Sequence, residues 1–243
     1  LIKNAPMFLY GVYPTIFYFQ SYPLDRERAS ELYIYLPSEK SPEINSILSG
    51  LYSQPKIEFF ISGLVMPGLH LKSDSIKSVN KIRKISWQPA IEQGWMSYSE
   101  DLAYEMGYFS SVYTPFLLSY VKALRSLRAY MDVAYHIEEM DFEECISYFK
   151  EKFQFSPEMS RSEMINISLN PTYYYAGIYG YENIKELKNK YVKGENKFFD
   201  MREFHSDLLS LGNVTIEDLK RELKEIRKER LKSKLIEEEY DEE

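Results

Sequence analysis

Ser62-Gly63-Leu64-Val65-Met66-Pro67-Gly68-Leu69-His70-Leu71 is the stretch on which the reading of this chain turns. An apolar, helix-like run from Ile57 to Met66 meets Pro67-Gly68, and a solitary histidine follows. Proline removes a helix hydrogen bond and clashes with the preceding turn, and glycine is poorly tolerated in a helix. The pair therefore ends or sharply bends the run. A helix end sets the following side chains in a defined place, which is one way to build a site. Here His70 is the only ligand-type residue beside the break. The expectation is a catalytic scaffold whose chemistry has been removed.

The 243 residues are 44% hydrophobic and 28% charged, enough for one large core or two packed subdomains. The 22 tyrosines, 14 phenylalanines and 2 tryptophans are read as packing material whose phenol tips need polar partners or water. A net charge of −7 argues against a nucleic-acid partner, because neutralising phosphates takes a basic face. Cys145 stands alone, which excludes an intrachain disulfide and a cysteine-rich zinc site and favours a reduced, cytoplasmic setting. No run reaches the roughly 18 apolar residues of a membrane span, so no membrane partner is expected. The opening Leu1 to Tyr10 lacks the zones of a signal peptide, and Leu1 in place of methionine suits a fragment, a processed product or the ordered part of something longer.

The predicted fold class is mainly α, with a small extended or β region near the N-terminus. Residues 1–40 are expected to form an extended segment packing on a helical body, 41–243. Thr15 to Phe19 and Leu32 to Leu36 fit short strands in a small sheet or hairpin. Ser41-Pro42-Glu43 opens the helical part with a good cap and a proline in the first turn. Ser73 to Lys84 reads as a polar helix surface plus a loop. Pro89 opens a helix whose Ile91, Trp95, Tyr98, Leu102 and Met106 share one face, ended by Gly107. Thr114-Pro115 starts what is expected to be the longest helix, to about Glu139, with a stripe of Leu117, Tyr120, Val121, Leu124, Leu127, Met131 and Tyr135. Asp141 to Glu144 is a capping-box pattern, and Ser156-Pro157-Glu158 opens another helix, closed at Asn170-Pro171. Tyr173 to Tyr191 is expected to be helical from about Gly180. A turn at 193–196 then leads to a helix from Met201 to Leu211, and Thr215 caps the last, increasingly charged helix.

From about residue 57 to residue 225, the order of landmarks resembles a family of mostly helical proteins known as domain of unknown function 885. Its intact members look like zincin-type, zinc-dependent peptidases. The landmarks are Pro67-Gly68-Leu69-His70-Leu71-Lys72, then Gln93-Gly94-Trp95-Met96-Ser97-Tyr98-Ser99-Glu100, then Arg128, Asp132 and His136 at four-residue steps. Pro171 and Gly180 bracket the fourth, and Phe199-Asp200-Met201-Arg202-Glu203-Phe204-His205 forms the fifth. The resemblance implies zinc in intact relatives, held by imidazoles and a carboxylate while a second carboxylate deprotonates the attacking water. It also implies a helical N-terminal half that closes over the cleft.

By the same resemblance, the family's first metal-binding His falls on Gly63, its general-base Glu on Leu64 and its next His on Leu69. The carboxylate of the second landmark falls on Gln93. In the fourth, groups expected to bind substrate or an oxyanion fall on Tyr173, Gly177 and Ile178. Only His70, His136 and His205 exist, with no His-Glu pair and no two histidines four residues apart, so another register does not rebuild the usual zinc site. His70, Glu92, Gln93, Glu100, Arg128, Asp132 and His136 are therefore candidates for a remnant cleft, with no catalytic residue and no metal ligand assigned. Glu92 is a poor substitute for the carboxylate position, because adjacent helical residues point about 100° apart. Tyr173, Tyr174 and Tyr175 are expected to fill space left by lost polar groups. The resulting expectation is a catalytically inactive metallopeptidase-like domain with a structural or binding role and no cofactor. A protein partner, a second copy or the missing N-terminal half would cover its helical surfaces. The rival reading is a divergent metal-dependent peptidase or hydrolase with an unrecognised site, and a peptide- or small-molecule-binding module is a third.

Overall fold

The computed structural model describes residues 1–6, 8, 16–21, 24–25, 28–36, 52–193 and 200–241. The helix opening expected at Ser41, the turn at 194–196 and Phe199 lie outside the described residues. Near the N-terminus, β1 (Ile2–Asn4), β2 (Phe17–Phe19) and β3 (Glu31–Ile34) form a sheet in the order β1-β3-β2. β2 runs antiparallel to β3 with Phe17 opposite Tyr33, and β1 runs parallel to it with Ile2 opposite Leu32. Phe17 stacks on Tyr33 at 5.0 Å between ring centres, the kind of cross-strand aromatic pair that holds a short sheet together. β1 has no strand signature of its own. All three of its residues are exposed, and it exists as a strand because β3 offers a free edge.

The helices are α1 (Gln54–Leu64), α2 (Leu69–Ser75), α3 (Lys81–Ile85), α4 (Pro89–Glu105), α5 (Thr114–His136), α6 (Phe142–Phe153), α7 (Pro157–Leu169), α8 (Tyr173–Lys193), α9 (Met201–Ser210) and α10 (Ile216–Asp241). The molecule is thus mainly α with a small N-terminal sheet. The capping box forms as expected, with Asp141 Oδ1 accepting from the Glu144 N–H and the Glu144 carboxylate accepting from the Asp141 N–H. Ser156 and Thr215 cap α7 and α10 through their hydroxyls. No described helix is long and apolar enough to cross a membrane.

Two apolar centres organise the body. Ile91, Trp95 and Tyr98 of α4 pack with Ile184 of α8, Phe204 and Leu208 of α9, and Leu219 and Leu223 of α10. Leu127 and Met131 of α5 pack with Cys145 and Phe149 of α6 and with Met164 and Ile167 of α7. The α4–α8 contact is very close: a Cβ on Gly94 would lie 2.6 Å from the Gly180 carbonyl carbon. Two side-chain-free positions let these helices cross, so the glycines of two separate landmarks meet.

Several expectations need correction. α8 begins at Tyr173, not near Gly180, because Asp132 of α5 caps its first amides. Met106 lies outside the α4 face, 73% exposed, because the helix ends at Glu105. On α5, Leu118 is buried, and Tyr120 is 39% exposed while its ring packs edge-on against Phe153 of α6. α10, with 26 residues, exceeds the 23 of α5. In place of one polar surface, the stretch after α2 continues into a 3-10 turn, Ile76–Ser78, and α3, with Ser73 and Ile76 buried.

Candidate functional site

α1 stops at Leu64, the Met66–Pro67 peptide is cis, and α2 starts at Leu69. The break folds tightly on itself: a Cβ on Gly68 would lie 1.9 Å from the Gly63 carbonyl oxygen. Trp95 fixes the turn, its indole N–H donating to the carbonyls of Pro67 and Gly68 at 3.1 Å each. One helical turn on, the Tyr98 hydroxyl lies 2.8 Å from Nε2 of His205, whose ring also packs edge-on against Trp95. Burial, aided by the nearby Lys188 charge, pushes the His205 imidazole down to about 4, so the ring that meets the Tyr98 hydroxyl is neutral. The first, second and fifth landmarks thus converge on one structural knot.

Gly63 has no empty space beside it. A Cβ there would lie 2.7 Å from Oε1 of Glu100. Glu100 is 2% exposed and is held bidentately by Arg125 of α5, at 2.5 and 2.8 Å. Burial raises the Glu100 carboxyl above its ordinary value, and the Arg125 charge and hydrogen bonds offset only part of that rise. A guanidinium does not deprotonate in proteins, and its bidentate fork favours the ionised carboxylate over the neutral acid. Arg125 was not among the candidate residues. It comes from a separate helix with no fixed spacing to Glu100, so no sequence signal marks the pair. Leu64 is half-buried and apolar at the helix end. Leu69 is likewise half-buried, and its neighbour His70 turns to the sheet, with Nδ1 3.1 Å from the Tyr18 hydroxyl of β2.

Glu92 and Gln93 face different hollows, as their angular separation on α4 requires. Glu92 and Leu69 border a groove of about 490 Å³ under the sheet, with Tyr18, Arg28, Glu31 and Tyr33. Gln93 opens instead into a pocket of about 160 Å³ bounded by Tyr173, Gly177 and Ile178 of α8 and by Arg125 and Arg128 of α5. The positions separated in sequence as Gln93, Tyr173, Gly177 and Ile178 are thus brought together. The fit is tight, since a Cβ on Gly177 would lie 3.1 Å from the Gln93 Cβ. Tyr173 and Tyr174 border this pocket, and burial pushes the Tyr173 phenol up to about 12. Tyr175 departs from the expected space-filling role: it is 48% exposed and stacks on Tyr179.

Arg128, Asp132 and His136 share a helix but divide into separate contacts. Arg128 forks onto Glu163 of α7 at 2.6 and 2.7 Å and lies over the Tyr174 ring. Asp132, 1% exposed, accepts from the backbone N–H groups of Thr172, Tyr174 and Tyr175 at 2.9 to 3.1 Å. It therefore satisfies the otherwise open amides at the start of α8. This is why α8 starts at its tyrosines: the cap comes from another helix, where a reading of local sequence finds none. His136 Nδ1 completes the arrangement, 3.0 Å from Asp132 Oδ1.

Lys72 is a further buried group that the candidate set omitted. It is 4% exposed and donates to Asn213 Oδ1 at 2.6 Å. Burial pushes its ammonium down to about 8, against a smaller upward pull from Glu92. Among the described residues, no three His, Cys, Asp or Glu side chains gather where they could hold a metal ion. The three histidines belong to three different networks, so the donor set among the described residues does not fit zinc.

The chain matches the family described as "Bacterial protein of unknown function (DUF885)" over residues 1–223, a longer span than the landmarks from residue 57 implied. A crystal structure of a "putative lipoprotein" from Colwellia psychrerythraea is similar, with a TM-score of 0.77 and 21% identity, over 93% of this chain and 37% of that one. A protein of unknown function from Shewanella oneidensis, described in the same words, has a TM-score of 0.72 and 19% identity, over 91% of this chain and 39% of its own. At these identities the likeness is one of fold. The chain spans less than two fifths of either protein's length. No curated protein matches it.

Proposed function

The chain belongs to the DUF885 family, and we propose that it is a catalytically inactive, metallopeptidase-like member with a structural or binding role. The observation that carries this reading is the Glu100–Arg125 pair pressed against Gly63. Where a metal-binding imidazole would stand by resemblance, a buried salt bridge occupies the space. Replacement of the other positions by Leu64, Leu69 and Gln93 supports the same reading, as does the use of His70 to anchor the sheet. The role proposed is that of a rigid frame covered by further polypeptide: a preceding half, a second copy or a protein partner. Apolar side chains on the helical body support it, among them Val112 at 84%, Phe116 at 75% and Tyr113 at 71% exposed.

Metal analysis by mass spectrometry, paired with a peptide-cleavage assay with and without chelator, tests the inactive-site reading. The expected result is far less than one zinc per chain and no chelator-sensitive cleavage. One zinc per chain with chelator-sensitive cleavage would establish a divergent metal-dependent hydrolase instead. Light scattering tests the covered-surface reading, which a stable monomer that also fails to bind any added half or partner would overturn.

A further inference from the structure

We infer that the pocket between α4, α5 and α8 is a binding site for a small, uncharged, polyhydroxylated molecule of about the size of one sugar ring. Its volume of about 160 Å³ corresponds to roughly five waters at liquid density, well below the roughly 300 Å³ at which pockets for drug-sized ligands begin.

The lining specifies the chemistry. Gln93 offers an amide that both donates and accepts, and Ser97, Tyr173 and Tyr174 offer hydroxyls that do the same. None of these four side chains makes a hydrogen bond among the described residues. None of their polar atoms is both buried and unpartnered, so they face solvent and a ligand's hydroxyls can replace water at them without breaking a protein hydrogen bond. The charges in the wall cancel. Arg125 is matched by Glu100 and Arg128 by Glu163, each through two hydrogen bonds. Each guanidinium has five N–H groups, so both arginines keep N–H donors beyond those bonds without offering net positive charge. An anion gains no compensating charge here and a cation meets no free carboxylate, whereas hydroxyl groups find donors and acceptors together. The rings of Tyr173 and Tyr174 and the side chains of Met96 and Ile178 supply an apolar wall for the carbon face of such a ring. The inference does not depend on the fate of the metal site, since zinc bound elsewhere would leave this pocket's lining unchanged.

The test uses the full chain labelled at the Ile and Met methyl groups and titrated with three probes of matched size: glucose, glucuronate and glucosamine. The expected result is a saturable shift of the Ile178 and Met96 methyl signals with glucose, and weaker or absent shifts with the anionic and cationic probes. Gln93→Leu is expected to weaken the glucose response roughly fivefold, the loss of about one hydrogen bond. Ser97→Ala, a smaller change, serves the same purpose if Gln93→Leu does not fold. No saturable shift with glucose, tighter binding of glucuronate or glucosamine, or a response untouched by the folded variant would each overturn the assignment.

Discussion

Gly63 and Glu100 share one space: a Cβ on the glycine would come within 2.7 Å of the carboxylate oxygen that Arg125 holds. Gly63→Ala is therefore expected to meet an overpacking cost of about 1–3 kcal/mol. Set against the gain of about 1 kcal/mol that alanine brings within a helix, the net loss is expected to be up to about 2 kcal/mol. Gly63→His should cost more and still acquire no zinc. Urea midpoints and metal content measure both, and a Gly63→Ala variant more stable than the parent would remove the steric argument.

Cutting the buried pair on one side leaves an uncompensated charge. Arg125→Met is expected to lose about 3–5 kcal/mol near neutral pH, and the double variant Arg125→Met/Glu100→Leu to recover most of it. Alone in its buried position, Glu100 has a folded pKa above its unfolded value. The deficit of the single variant is therefore smallest below about pH 4.5 and grows as pH rises through the shifted value. Unfolding curves for the two variants at pH 4 and pH 7 test both the size and the direction.

Lys72 gives the opposite kind of pH signature. Its ammonium falls from 10.5 to about 8 on burial, so below pH 8 the folded state carries a buried charge at a cost. Between pH 8 and 10.5 the folded state releases the proton before the unfolded state does, and stability rises with pH. Lys72→Met is expected to stabilise the protein by roughly 1–3 kcal/mol at pH 6–7. That advantage should shrink toward zero near pH 10.5. A constant difference between variant and parent across this range would refute the assignment.

Asp132 is expected to matter far more than the histidine beside it. Asp132→Ala strips three backbone N–H groups of their acceptor and is expected to cost about 2–4 kcal/mol, combining a lost cap with stranded buried donors. Hydrogen exchange should accelerate at the amides of Thr172, Tyr174 and Tyr175. His136→Ala, removing only the outer partner of that carboxylate, should leave those amides protected.

Most helices were legible because their signals are local. Asp141 to Glu144 carries a complete capping box, Pro89 and Pro157 mark first turns, and Ile91, Trp95, Tyr98 and Leu102 recur at helical spacing on the buried face of α4. The absence of a histidine or carboxylate at Gly63, Leu64, Leu69 and Gln93 also follows from residue identity alone. What packing decided is what occupies those positions. The start of α8 depends on Asp132, a residue 40 positions from the amide of Thr172. The space at Gly63 depends on Glu100 and on Arg125 from a third helix. The pocket at Gln93 needs α4, α5 and α8 together. Short-range patterning determines helices because their hydrogen bonds close within four residues. Buried ion pairs, caps supplied by another helix and cavities join residues far apart in sequence, and only the folded chain brings them within reach of one another.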